Sequence, residues 1–233
     1  MTPLRSLLAL AAVVHAAALQ LPRQSSAACP AIQIFGARET LTPQGFGSAI
    51  TVIQLIQAQF PGNATTVAEE IIYPAAGADP DDYAQSMAAG VAAVVRQTTA
   101  FSARCPDSII VMHGYSQGAQ IIDNAFCGGP DLPSITSSGR LVTAAVASHT
   151  AAIILMGNPR HVDGLPFNVG NATEPGFAAR PAGFACAEFE DRIQAYCDAR
   201  DPFCAKGDDA DVHQGYGTQF GREALAFVVA ALG

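Results

Sequence analysis

Tryptophan is absent from the chain, and charge is scarce: 14% of residues are charged, and 12 lysines and arginines face 20 aspartates and glutamates, for a formal net charge of −8. Nucleic acids and anionic membranes select basic surfaces, so this balance excludes both as partners and favours a neutral substrate. The missing tryptophans remove the usual aromatic platform on which separate binding modules stack sugars. The six cysteines include no C-x-x-C pair and no histidine cluster accompanies them, so neither a metal nor another cofactor is expected. Past the first twenty residues no apolar run is long and unbroken enough to cross a bilayer.

What is present points to one exported globular domain. The 233 residues are half apolar and include 21 glycines, enough for a sizeable single core. Arg5, the apolar stretch 7–14 and the small residues Ala16, Ala17 and Ala18 form a secretory signal peptide over 1–18. Residues 19–28 form a polar lead-in or pro-segment in which Arg23 is a candidate processing point, and 29–233 form the catalytic domain. Export leads to an extracellular, soluble and monomeric protein. In that compartment Cys29, Cys105, Cys127, Cys186, Cys197 and Cys204 are expected to form three disulfides, with the pairing open. Asn63 and Asn171 head N-x-T sequons and are candidate glycosylation sites.

Apolar patterning predicts strands over 31–35, 69–74, 108–113, 151–156 and 192–196, and helices over 48–60, 80–104, 119–126 and 219–232. Met87, Val91, Val94, Val95 and Phe101 give the second helix its buried stripe. The stretches 127–140 and 160–185 are rich in glycine and proline and read as loops. Strands alternating with helices predict an α/β fold with a mainly parallel sheet, whose functional residues gather at the strand C-termini.

The chain is organised around Gly114-Tyr115-Ser116-Gln117-Gly118. A β-branched run precedes this G-x-S-x-G and helix formers follow it, which is the layout of a nucleophile elbow. In such a turn the serine hydroxyl stands above the sheet edge and the next helix aims its N-terminal N–H groups at the reacting centre. A serine nucleophile needs a base and an orienting carboxylate, which on elbow folds follow in the order Ser, Asp or Glu, His. His213, in the glycine-rich stretch 213–217 before the last helix, fits that order. His161 is its main rival, whereas His113 and His149 read as local packing or lead-in residues. Asp198 and Asp201, in a loop bounded by Cys197 and Cys204, compete for the carboxylate role, and spacing alone does not separate them.

Phe35-Gly36-Ala37-Arg38-Glu39-Thr40, the elbow, Arg180-Pro181-Ala182-Gly183-Phe184, Tyr196-Cys197-Asp198-x-x-Asp201-Pro202 and His213-Gln214-Gly215-Tyr216-Gly217, in this order, resemble the acetylxylan esterase branch of the cutinase family. The resemblance runs from about Cys29 to Gly233. It implies a small lidless α/β-hydrolase with a central five-stranded parallel sheet, and the triad Ser116, Asp201 and His213. It also implies an oxyanion hole from Gln117 and Thr40, and the disulfides Cys29–Cys105, Cys127–Cys186 and Cys197–Cys204. Phe203 stands where that branch carries a tyrosine, and its ring is expected to crowd the acyl pocket in favour of acetyl groups. The expected activity is a secreted serine esterase acting on acetylated xylan. A cutinase or general short-chain esterase with the same triad is the alternative, and a catalytically silent surface-binding protein is a third reading.

Overall fold

Apolar side chains point to both faces of the strands, so the sheet can only be stable with helices on each side. The computed structural model, which describes residues 29–61, 66–132 and 134–233, builds that arrangement. The expected signal peptide, the lead-in and the sequon at Asn63 lie outside the described residues. The elements are β1 (Ile32–Ala37), α1 (Ile50–Gln59), β2 (Thr66–Glu70), α2 (Pro80–Arg104), β3 (Ile109–Tyr115), α3 (Gln117–Cys127), α4 (Ala144–His149), β4 (Thr150–Met156), β5 (Asn168–Val169), β6 (Ile193–Tyr196) and α5 (Ala210–Leu232). The strands pair in the order β2-β1-β3-β4-β6-β5, and each pairing is parallel.

Alternation along the strands divides the core in two. Phe35, Met112, Ile153 and Leu155 pack beneath α2, α3 and α4, through Met87, Val94, Ile121 and Val146. Ile34, Val111, Ile154 and Met156 pack on the other face, against Val52 and Ile56 of α1 and Ala224 and Val228 of α5. The order reverses direction between β1 and β3. Loops leaving those two strands diverge there, and such a point leaves an open crevice at the strand C-termini.

Local signals explain α2 well. Asp79 caps it by accepting from the Asp82 amide at 2.9 Å, Pro80 takes the first turn, and Asp81 and Asp82 complement the positive dipole end. Met87, Val91, Val94 and Phe101 are buried as the periodicity predicts, with Val95 partly so.

Four expectations need correction. The second strand occupies Thr66–Glu70 rather than 69–74. Its apolar continuation leaves the sheet because Arg38 takes the carbonyls of Tyr73 (2.7 Å) and Pro74 (3.1 Å), which a strand would have used for pairing. The last helix starts at Ala210 rather than 219, because Asp209 caps it by accepting from the amides of Asp211 and Val212. The glycine-rich stretch 213–217 is therefore helix, not loop. The short helix α4, capped by Thr143, occupies the lead-in to β4 to which His149 was assigned. The sheet has six strands rather than five, although β5 is only two residues long.

Three disulfides join Cys29 to Cys105, Cys127 to Cys186 and Cys197 to Cys204. The first two close loops of 76 and 59 residues in sequence, and each removes unfolded-state entropy worth about 4 kcal/mol in the chain-entropy account.

The elbow is the tightest point of the fold. Ser116 has φ 52° and ψ −117°, a strained conformation for a residue with a Cβ. A Cβ on Gly118 would lie 2.2 Å from the Ala37 carbonyl oxygen, and one on Gly114 would lie 2.5 Å from the Gly118 carbonyl oxygen. Both obstacles are backbone, so neither can swing aside. Gly118→Ala should therefore force β1 and α3 apart and destabilise the protein by about 3 kcal/mol, a drop of roughly 6–12 °C in thermal midpoint. A melting curve superimposable on that of the unmodified protein would show that the two segments have room to separate.

Candidate active site

The crevice between β1 and β3 contains a cavity of about 360 Å³ lined by Ser116, His213, Thr40, Tyr83, Phe177 and Phe203, among others. Ser116 enters it from the elbow. Its own amide donates to the Met156 carbonyl at 2.8 Å, which pins the turn to the end of β4. Helix α3 begins at Gln117, so the amides of its first turn have no partner within the helix. The Gln117 side chain is buried and tied on both sides: its amide nitrogen donates to the Ala76 carbonyl at 2.9 Å, and its oxygen accepts from Ser86 at 3.0 Å. Thr40 follows β1 and lies against Gly77, where a Cβ would sit 2.4 Å from the threonine methyl.

His213 and Asp201 meet behind the serine. His213 Nδ1 lies 2.7 Å from Asp201 Oδ2, and both side chains are almost entirely buried. With Nδ1 donating to the carboxylate, Nε2 is the free nitrogen of the ring. A buried carboxylate needs donors, and Asp201 has four: the amides of Phe203 (2.6 Å) and Cys204 (3.0 Å) on Oδ1, and His213 and the Tyr216 hydroxyl (2.8 Å) on Oδ2. Burial pushes its pKa up, but the hydrogen bond and charge of His213 with those two amides outweigh it and hold the carboxyl below its ordinary range.

The imidazole is walled in. Gly157 has φ +61°, and a Cβ there would lie 2.6 Å from His213 Cε1, so only glycine lets the ring sit against the end of β4. The Phe203 ring is 4.5 Å away, centroid to centroid, and the Tyr115 ring 5.9 Å. Tyr115 donates from its hydroxyl to the His213 carbonyl at 2.6 Å and accepts from the Tyr216 amide at 3.2 Å. Among the described hydrogen bonds none joins Ser116 Oγ to His213; the two groups face one cavity, and such pairs tighten when substrate binds.

Asp198 is turned away: its carboxylate accepts from the Arg200 amide at 3.1 Å, within its own loop. His161 is buried with both ring nitrogens unpartnered and lines none of the cavity around Ser116. His149 ends α4 near Ser102. Asn171 is exposed, and its side-chain oxygen accepts from the Ala199 amide. Among the described residues there is no group of three or more His, Cys, Asp or Glu that could hold a metal ion, and no helix is long and apolar enough to cross a membrane.

Sequence reasoning missed Tyr115, Tyr216, Tyr83 and Phe177. Tyr216 was within reach: three positions after His213, it falls on the same helix face once 213–217 is read as helix. Phe177, in an irregular loop, carried no signal.

His113, one strand residue before the elbow, makes one bond, between its Nδ1 and the Ile154 carbonyl at 3.2 Å. Burial lowers its pKa to about 4, and burial also lowers that of His161. The unfolded chain takes up a proton near the ordinary histidine pKa of ~6.5, whereas folded His113 stays neutral down to about 4. Stability should therefore fall as pH drops through that window, by up to about 1.4 kcal/mol per pH unit for each such histidine. Asp201 acts lower: its contribution is present above the ordinary carboxylate range and is lost as pH falls through its depressed pKa. Urea midpoints from pH 7 to pH 4.5 should decline for the unmodified protein and decline less steeply for His113→Asn; parallel slopes would mean that His113 is charged in the native state.

The family model described as Cutinase matches residues 28–232. The chain is 48% identical to an acetylxylan esterase of Hypocrea jecorina over 205 residues, covering 86% of this chain and 67% of that protein. It is also 48% identical to Cutinase 11 of Verticillium dahliae over 227 residues, covering 95% and 74%. The solved catalytic core domain of an acetyl xylan esterase from Trichoderma reesei superimposes with a TM-score of 0.82 at 48% identity, over 87% of this chain and 98% of that one.

Proposed function

The chain belongs to the cutinase family and is a carboxylic ester hydrolase, and from that premise we propose that it removes acetyl groups from acetylated xylan through Ser116, His213 and Asp201. The observation that carries the reading is the buried Asp201–His213 pair, whose imidazole shares one cavity with the elbow serine. As Ser116 Oγ attacks the ester carbonyl, His213 Nε2 takes its proton, and the imidazolium formed is stabilised by the Asp201 carboxylate. The tetrahedral oxyanion is met by the Gln117 amide and by Thr40. Collapse expels the sugar alcohol, which leaves with the proton from His213. Water then attacks the acetyl-enzyme with His213 as base, releasing acetate and restoring the serine.

The acetyl reading is supported by the aromatic lining: the Phe203 ring, packed on His213, and the rings of Tyr83 and Phe177 crowd the cavity. The second reading, a cutinase, is favoured by the exposed apolar rim of Leu41, Phe177 and Phe203, which suits a waxy ester, and by the Verticillium relative. We assign the chain to the extracellular space as a monomer: three disulfides suit an oxidising compartment, and the leader over 1–18 would direct export. Residues 29–233 would then be the catalytic domain, with Asn63 and Asn171 as glycosylation sites.

Hydrolysis of p-nitrophenyl esters from acetate to palmitate, run beside acetate release from acetylated xylan, tests the substrate. Activity confined to short chains and matched on xylan supports the acetyl reading, and activity rising with chain length moves the protein to the cutinase reading. Ser116→Ala and His213→Ala should abolish turnover without unfolding the chain. Asp201→Asn should lower kcat by about 10³–10⁴-fold through loss of the productive tautomer, with Asp198→Asn close to the unmodified protein. Inactivation by His161→Ala with His213→Ala still active would reject the assignment of the base.

A further inference from the structure

A second cavity of about 400 Å³ lies beside the one that holds Ser116, and Tyr83 and Phe177 line both. Their rings meet edge-to-face with centroids 5.8 Å apart, so the pair forms the partition. The far side is walled by Ala84 and Met87 of α2 and by Leu132 and Ala178. Its polar groups are already engaged with one another. Gln120 accepts from the Tyr83 hydroxyl at 2.6 Å and donates to Asp131 Oδ2 at 2.8 Å, the same oxygen accepts from Asn124, and Ser134 donates to the Asp131 carbonyl. Arg160 lies 3.4 Å from the other carboxylate oxygen of Asp131. A ligand entering there would meet apolar surface and few free hydrogen-bonding groups, which selects alkyl chains over sugar hydroxyls.

The partition is built differently on its two sides. Tyr83 is fixed on α2 and hydrogen-bonded, whereas Phe177 is 60% exposed and held chiefly at its backbone, whose amide donates to the Phe203 carbonyl at 3.2 Å. The preceding Gly176 is packed so closely that a Cβ would lie 2.3 Å from the Pro159 carbonyl oxygen, so the base of the ring cannot retreat.

We propose that the second cavity is an acyl-chain subsite closed off from the catalytic cavity by the Phe177 ring, so that Phe177 sets the upper limit on acyl length. This rests on the acetyl-ester reading. Removing the ring joins the two cavities and lets a saturated acyl chain extend past Tyr83 towards Ala84 and Met87.

The test compares kcat/KM for p-nitrophenyl octanoate and acetate. Phe177→Ala should raise the octanoate-to-acetate ratio by about tenfold, the effect of burying roughly two more methylenes, and Phe177→Leu should give a smaller rise. Ala84→Phe placed in the Phe177→Ala background should fill the second cavity and return the ratio towards that of the unmodified protein. A ratio unmoved in both Phe177 variants, with their thermal midpoints intact, overturns the proposal, as does a gain that survives Ala84→Phe. Acetate release from acetylated xylan by the unmodified protein reports on the substrate reading independently of this ratio.

Discussion

The buried carboxylate of Asp201 is the group around which the cavity end of the molecule is arranged. An ionised carboxyl with no exposure to water is costly unless its oxygens are satisfied, and here two backbone amides, an imidazole and a phenol satisfy them. Those donors come from two places: the loop closed by Cys197 and Cys204, and the first two turns of α5. Satisfying the charge therefore docks α5 onto the loop and sets the plane of the His213 ring at the same time. Tyr115 and Tyr216 extend the constraint to β3, because the Tyr115 hydroxyl holds the His213 carbonyl and the Tyr216 amide together.

The remaining requirement is closeness. Ser116 and the imidazole face one cavity only because β1, the elbow and the end of β4 approach one another without side chains between them. Gly118 lies against the Ala37 carbonyl and Gly157 lies under the His213 ring. The sheet order brings these strand ends side by side, and the reversal between β1 and β3 leaves the gap that becomes the cavity.

The long irregular segments around this framework are held by buried charge rather than by secondary structure. Arg180 pairs with Asp123 of α3, and Asn158 donates to the same carboxylate at 2.7 Å. Burial lowers the Arg180 pKa to about 10, so it stays protonated at neutral pH. Arg160 joins Asp131 to the carbonyls of Ala178 (3.0 Å) and Pro130 (3.2 Å). These two arginines fasten the segment that carries Phe177 to α3, and so to the helix that starts behind Ser116.

Sequence alone determined the alternation of strands and helices, the elbow with its two glycines, the full extent of α2 and the order of candidate triad residues. Each is written in local chemistry: a period of 2 or 3.6, a cap, a turn that tolerates no Cβ. Resemblance narrowed Asp198 and Asp201 to one, but the physical reason lay outside the local pattern, in which carboxylate the Phe203 and Cys204 amides and the Tyr216 hydroxyl could reach. Glycines at 215 and 217 masked the start of α5, because the Asp209 cap and the packing of Tyr216 outweigh their low helix propensity. The early end of β2 followed from Arg38 claiming distant carbonyls. The partition made by Tyr83 and Phe177 joins residues 94 positions apart, and no periodicity links a helix to an irregular loop across that distance. Only the tertiary structure could bring those rings together, because contacts of that kind are decided by how elements pack and not by what each segment prefers on its own.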